Sequence, residues 1–531
     1  MILSAIQTAL LKQIYYFCQN KAKITISFYQ IMLFGKRIKE LRESQKLPQR
    51  VVADALEITI PLYSRVERGE RTLSKSHLPK LAQVLNVEEN ELLKLYLADQ
   101  VALVLDGQTD IYNDVLDIAK NGIRPVSKKK HTFIDLFAGC GGLTEGFYRQ
   151  NFIPLAHVEF DKSACATLRK RMEYYGYKNV DKEVIEHDIT DPEIISIVDQ
   201  AVNGREVDII IGGPPCQAYS SAGRARDLHG MQNDPSNFLF ESYVKILNHY
   251  QPKIFVFENV TGILTAKVQG KSIIKQVMDA LSENYNVLSD YPQMLLNSVN
   301  YGVPQERKRI IIIGVRRDIN YPIENVYSAI KKTHYDPEMT STEKKGLKKY
   351  VTVKDAIGEL PSIAPGEGKT EVPFEYSRSN EFLKAIGTPN YKILRDHICR
   401  KHNEIDRERY RVMAREHWTF EQLLQYREDL RHEVPRIFGN SYVVQWWDLP
   451  SKTIIAHLHK DGNQFIHPDH NQARTLTVRE AARLQSFPDD FEFMGSRGDK
   501  YKQIGNAVPC LFAEAIAKAV KQSLKEIEND I

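Results

Sequence analysis

Residues 132–142 read TFIDLFAGCGG, and residues 143–150 continue as LTEGFYRQ. An apolar run ends in glycines and passes directly into a helical pattern. That order lets the backbone approach a ligand close to a helix amino terminus. The next apolar run, 153–160, carries Glu159 near its end, about twenty residues beyond the glycines, where an acid can hold ribose hydroxyls. Asp188, in EHDIT, follows a further short run. Apolar runs at 131–137, 153–160, 207–211, 253–257 and 309–315 alternate with helical stretches. The alternation predicts an α/β fold on a mostly parallel sheet.

The third run, VDIII at 207–211, is followed by GGPPCQAYS at 212–220. Two prolines in succession suit neither a strand ladder nor a helix interior. Cys216 is therefore presented on a stiff loop at a strand's carboxyl end, where open α/β sheets bind their ligands. A lone cysteine is more often a small core residue, but two glycines and two prolines are poor company for a core position. The six cysteines (Cys18, Cys140, Cys165, Cys216, Cys399 and Cys510) are scattered, with no CxxC pair. They read as free thiols in a reducing compartment, which places the chain in the cytoplasm. His457 and His459 lack a third ligand at a convincing spacing, so no metal is expected.

A chain of 531 residues is long enough for roughly two to four domains. Its net charge of +4 permits nucleic-acid contact through local patches without demanding it. Met1 to Cys18 is apolar, but Lys12 interrupts it, it has no leading positive charge, and it is short of a membrane span. Residues 1–33 read as an extension, with Met32 as an alternative start, and no membrane association is expected. Residues 34–97 read as short helices, in which Phe34, Ile38, Leu41, Val52, Leu56, Leu78, Leu81 and Leu85 recur at helical spacing. Pro48 and Pro61 suit first turns of helices, and Gly69 ends the third. Residues 98–130 form a linker. Residues 131–334 and 451–531 form the two parts of the α/β domain, separated at 335–450 by a smaller module rich in charge and aromatics.

With these residues assembled, the chain resembles the bacterial DNA (cytosine-5)-methyltransferases of restriction–modification type, over about residues 131–320 and 450–515. The motifs stand in family order: DLFAGCGG (135–142), Glu159, Asp188, GGPPCQAYS, FENV (257–260), QERKR (305–309), RTLTVREAARLQSFP (474–488) and QIGNAVP (503–509). The resemblance implies a Rossmann-like S-adenosylmethionine-dependent domain, with S-adenosylmethionine as methyl donor and duplex DNA as partner. Cytosine C5 is a poor nucleophile, and a thiolate adding at C6 activates it, which the resemblance assigns to Cys216. It assigns Glu258 to cytosine N3 and Arg309 to cytosine O2, with Arg307 in the same catalytic set and, like Gln305, supporting loop geometry. The target base must leave the duplex to meet the thiol. Phe137 is expected on the adenine, Glu159 on the ribose and Asp188 on the adenine amino group. Gly139, Gly141, Gly142, Pro215, Asn506 and Val508 complete the cofactor pocket. Residues 335–450 stand where the family reads its target sequence, and none of Trp418, Trp446 and Trp447 is assigned as a base reader.

The stretch PQRVVADALEITIPLYSRVERGE, residues 48–70, resembles the helix-turn-helix of the phage-repressor-like family through Gln49, Ala53, Ile58 and Glu67-Arg68-Gly69. The resemblance implies a second helix in the major groove, with Gln49, Thr59 and Arg65 as DNA contacts, and a dimer. Thr59, Ile60, Pro61, Leu62 and Arg65 offer few hydrogen-bonding side chains to base edges, so a helical domain for protein contacts is the competing reading. Three wider expectations follow: a restriction endonuclease as functional partner, autoregulation of transcription, and, as alternatives, a transfer-RNA cytosine-5 methyltransferase or primarily a transcriptional regulator.

Overall fold

The computed structural model describes residues 33–105, 130–215, 238–268, 270–376, 380–388, 391–431 and 441–529. Cys216 lies outside the described residues, as does the extension up to Met32. Contacts divide the chain into two units, Met1–Ser127 and Lys128–Ile531.

The first unit carries Leu33–Ser44 (α1), Gln49–Ala55 (α2), Ile60–Glu67 (α3), Leu78–Val84 (α4) and Glu89–Leu105 (α5). Every apolar residue picked out by helical spacing is buried in one core, with Ala53, Tyr63 and Val66 between them. Pro48 caps α2 from an extended conformation, Pro61 lies in the first turn of α3, and Gly69 follows α3 at φ +73°. Below the α2–α3 turn a polar pin replaces apolar packing. Glu67 accepts from Arg42 Nε at 2.5 Å, from Arg42 Nη2 at 3.0 Å and from Gln49 Nε2 at 2.6 Å. Gln49, expected as a DNA contact, is half-buried and supplies one of the donors that the buried Glu67 carboxylate needs. Thr59 and Arg65 are both exposed.

In the second unit the chain runs Thr132–Leu136 (β1), Gly142–Arg149 (α6), Ile153–Glu159 (β2), Lys162–Tyr174 (α7), Val184–Glu186 (β3), Ile209–Gly212 (β4), Ile254–Val260 (β5), Tyr285–Val287 (β6), Leu295–Asn297 (β7) and Lys308–Arg316 (β8). The sheet order is β3-β2-β1-β4-β5-β8-β6, with β7 also paired to β8. β1 to β5 pair in parallel, whereas β8 runs antiparallel to β5, β6 and β7. The apolar runs of the sequence are these strands, to within a few residues at each end. Ile209–Ile211, Ile254–Phe257 and Ile310–Ile313 are wholly buried, as expected of central strands covered on both faces. Strand order reverses between β1 and β4, so the crevice at their carboxyl ends is the ligand position of a doubly wound sheet.

Val353–Ile357 (α8), the hairpin of Gly368–Pro373 (β9) and Ile393–Ile398 (β10), Val478–Leu484 (α9), Arg497–Asn506 (α10) and Cys510–Asn529 (α11) complete the elements used below. Val353, Ile357, Phe382, Leu383 and Leu394 share one apolar cluster with Ile454, Leu476, Leu484, Phe487 and Ile504. Packing therefore does not break at 450. A more local cluster holds Tyr410, Met413, Phe420, Tyr442 and Ile466, with Trp418 and Trp446 against it. Trp446 stacks on His417 with ring centroids 4.7 Å apart. Among the described residues no helix is long and apolar enough to cross a membrane.

Candidate active site

β1 ends where the backbone must turn sharply. Phe137 has φ +59°, Gly139 +55° and Gly141 +91°, and Gly141 caps α6. A non-glycine residue rarely takes this conformation, so Phe137 is held there by its surroundings, half-buried at the strand end. A side chain at Gly139 would meet nothing within 4 Å, so open space lies above the turn. Glu159, at the end of β2, accepts from Gly139 N at 2.8 Å, Phe160 N at 2.9 Å and Asp161 N at 2.7 Å. Burial nevertheless raises its pKa above the ordinary carboxylate value against those three donors. Asp188 is exposed just past β3, its carboxylate accepting from Thr190 N at 2.9 Å and Thr190 Oγ1 at 2.8 Å. Beneath the turn, burial pushes Asp135 up to about 7, although Thr144 Oγ1 donates to it at 2.6 Å.

The carboxyl end of the sequence closes the same crevice. Asn506 ends α10, and Ala507 and Val508 lie against the first residue of α6. A Cβ on Gly142 would stand 2.4 Å from Val508 O and 3.0 Å from Ala507 Cβ. One layer deeper, a Cβ on Gly146 would stand 2.4 Å from the Ala513 backbone of α11. Gly142→Ala is expected to cost about 1–3 kcal/mol, since backbone rather than a flexible side chain must move. A urea midpoint equal to that of the wild type would remove this contact as a constraint.

β4 and β5 present the second half of the site. Gly212 pairs with Phe257, so Gly213 to Pro215 run beside Glu258. A Cβ on Gly213 would approach Glu258 Oε2 to 2.8 Å, so that glycine is needed for close approach. Asn259 Nδ2 donates to Pro214 O at 3.3 Å and fixes the start of the loop that carries Cys216. Pro215 is exposed at its last described position. Across β8, Ile311 pairs with Glu258 and Arg309 with Val260. Arg309 Nε stands 2.9 Å from Glu258 Oε1, with both side chains close to buried. A charge-assisted bond in such surroundings fixes the carboxylate's orientation.

Arg307 goes elsewhere. It donates to Ile454 O at 2.7 Å and Gly505 O at 3.2 Å, and no carboxylate answers its charge in those contacts. Burial and the neighbouring Arg309 charge lower its pKa well below the guanidinium value. Arg307, expected both in the catalytic set and in support of the loop, is bonded here to these two backbone carbonyls. Gln305 acts alongside it. Its Nε2 donates to Leu484 O and Gln485 Oε1, both at 3.0 Å, and its Oε1 accepts from Ile454 N at 2.8 Å. QERKR is thus the seam that ties β8 to the distant carboxyl-terminal half.

Two participants escaped sequence reasoning. Asn259 stands in the sequence only as part of FENV, and its grip on Pro214 depends on strand pairing. Phe160, directly after Glu159, is 74% exposed at the rim of the crevice, and sequence carries no signal of that exposure. His457 and His459 face each other at 6.3 Å between ring centroids. Elsewhere His131, Asp208 and Glu528 bring ligand atoms within 4.8 Å of one another, and Asp208 is also paired with Lys253.

Comparison with known proteins places this arrangement. The family described as C-5 cytosine-specific DNA methylase matches residues 131–522, and a helix-turn-helix family matches residues 38–92. The chain is 35% identical over 454 residues to the type II methyltransferase M.Bpa9945I of Bacillus paralicheniformis, covering 73% of this chain and 98% of that one. It is 28% identical over 505 residues to the type II methyltransferase M.Sau96I of Staphylococcus aureus, covering 93% and 98%. A crystal structure of a candidate DNA modification methyltransferase encoded within a prophage (E. coli) superposes with a TM-score of 0.54 at 25% identity, covering 75% of this chain and all of that one.

Proposed function

The chain belongs to the C-5 cytosine-specific DNA methylase family, and from that premise we propose how its own residues carry methyl transfer to a cytosine in duplex DNA. The observation that supports the reading best is the Glu258–Arg309 pair at 2.9 Å, beside Gly213 and the loop that leads to Cys216. The residues at the switch point fit S-adenosylmethionine. Open space lies above Gly139, glycine backbone approaches at the start of α6, and Glu159 stands at the rim. When bound there, this group supplies an electrophilic methyl on sulfur.

Phe137 and Phe160 offer apolar faces to the adenine, Glu159 holds the ribose, and Asp188 reaches the exocyclic amine. Asn506 and Val508 close the pocket from the carboxyl-terminal side. In the substrate base, the Cys216 thiolate's electron pair forms the S–C6 bond, and the C5=C6 π pair moves onto C5 and through C4 onto N3. Glu258 shares a proton with N3 and so offsets the charge that develops there. Arg309 holds Glu258 in place and donates toward O2. C5 bonds to the methyl as the donor's S–CH3 bond breaks with its electron pair left on sulfur. The C5 proton then passes to a water molecule acting as base, its bonding pair reforms C5=C6, and the S–C6 pair departs with the Cys216 thiolate.

Type II relatives support a role in protecting DNA beside a restriction endonuclease. The helix-turn-helix unit supports a second role, repression of the chain's own operon by a bound dimer. The transfer-RNA alternative draws no support from a family described by its action on DNA.

The test is expression in a bacterium lacking cytosine methylation, followed by single-base mapping of 5-methylcytosine. Methylation at one short motif is expected, and none with Cys216→Ala. Equal methylation by the variant would remove Cys216 as nucleophile. Soluble chain with no methylation of any motif would sink the reading.

A further inference from the structure

The second helix of a helix-turn-helix pair presents its amino-terminal residues to base edges in the major groove. In α3 those residues are Ile60, Pro61 and Leu62, all exposed, with Ile60 at 42% and Leu62 at 36%. Reading bases by hydrogen bonds calls for arginine, lysine, asparagine, glutamine or an acid, and none stands there. Nor are these side chains exposed because the unit lacks a core. Tyr63 and Val66 already fill the inward face of the same helix at 0% and 1% exposure. Two branched apolar residues are therefore left on the outer face, where solvation disfavours them.

The surroundings indicate what covers them. Arg65 is exposed on α3 and makes no ion pair among the described residues, whereas the exposed Arg50 and Arg68 are paired with Asp54 at 3.4 Å and with Glu70 at 2.7 Å. An apolar centre on a helix-turn-helix helix, beside an exposed arginine with no carboxylate partner among the described residues, complements a groove whose walls are phosphate. Within the major groove the one apolar group on a base edge is the methyl on pyrimidine C5. Thymine carries it intrinsically. Cytosine carries it, at the same ring position, only after C5 methylation.

We propose that α3 reads pyrimidine C5-methyl groups in the major groove through Ile60 and Leu62. The binding stands apart from the catalytic reading. It rests on that reading only in that one source of the methyl, 5-methylcytosine, is the proposed product. If that source is used, the helix-turn-helix unit senses the methylation state of the DNA it occupies.

The experiment uses the full chain without methyl donor. Two pools of random duplexes, one with cytosine and one with 5-methylcytosine, are selected against the wild type and against Ile60→Ser/Leu62→Ser. Thermal denaturation checks that the double variant is folded. Sites enriched only by the wild type are then resynthesised with thymine replaced by deoxyuridine, or with cytosine exchanged for 5-methylcytosine. Removing a contacted thymine methyl is expected to weaken binding about fourfold, and adding a contacted cytosine methyl to strengthen it as much. The first arm identifies thymine as the source and the second the methylated product. The proposal is overturned if no site depends on Ile60 and Leu62, if neither exchange changes affinity twofold, or if the double variant responds like the wild type. Methyl transfer by the wild type with donor added, measured on the same preparation, reports separately on the catalytic reading.

Discussion

Glu258→Gln is expected to lower kcat by about 10²- to 10⁴-fold with little change in fold, the range that a positioned proton-transferring group contributes. Glutamine keeps the shape and can still accept from Arg309 through its amide oxygen, so the 2.9 Å contact survives in weakened form. What it loses is the proton that offsets charge at N3 as sulfur adds to C6. The loss should therefore appear in single-turnover chemistry more than in DNA affinity, lowering kcat and kcat/KM together. Arg309→Lys should show part of the same defect. The double variant should fall well short of the sum of the two, because the pair acts as a unit. A Glu258→Gln enzyme within tenfold of the wild-type rate would show that the carboxyl only scaffolds the loop.

The largest stability effect is expected at Arg474, far from any reacting atom. Arg474, Arg479 and Arg483 are each wholly buried. Arg474 donates to both oxygens of Glu480, at 2.8 and 2.7 Å. Arg483 is paired with Asp489 at 3.0 Å and donates to Ala356 O at 2.8 Å. Arg479 spends its donors on the carbonyls of Arg395, Pro488 and Phe491. Burial alone would raise the Glu480 pKa. The charge and hydrogen bonds of Arg474 overrule it and hold Glu480 far below the usual carboxylate range. A folded pKa below the unfolded one contributes stability that is fully present above about pH 4.3 and is lost progressively as pH falls from there through the folded pKa.

Arg474→Met strands that carboxylate and is expected to cost about 3–5 kcal/mol. Adding Glu480→Met removes the stranded charge, although it also removes the acceptor that Glu480 provides to Thr477 N at 2.7 Å in the α9 cap. The double variant should regain most of the loss, measured as urea midpoints at pH 7.5. A double variant no more stable than Arg474→Met would mean that packing, not the unpaired charge, dominates at this site.

Much of the fold was legible because its signals are local. The five apolar runs became strands since a continuous run of isoleucine and valine satisfies a strand buried on both faces wherever it lies in the chain. The glycines of 139–142 and the prolines of 214–215 constrain their own dihedral angles and so could be read directly. The helical spacing in residues 34–97 picked out the core of the first unit for the same reason. The boundary at 450 is not a boundary of packing. Composition shifts there, but Leu394 and Leu476 belong to one cluster.

Sequence by itself determined the chemistry on offer: a thiol on a stiff loop, a carboxyl after a buried strand, and glycines at a strand-to-helix turn. Those assignments depend on residue type and immediate neighbours. Only the tertiary structure decided how the charged groups are partnered. Arg307 and Arg309 lie two residues apart in one motif, yet β8 begins only at Lys308. Strand periodicity therefore does not reach Arg307, which turns to Ile454 and Gly505 while Arg309 meets Glu258. Gln49 is likewise drawn to Glu67, 18 residues further along the chain and on a different helix. In each case a buried charge or donor is satisfied by a group that chain folding brings from far away. Where such a partner arrives is a property of packing, which local sequence does not encode.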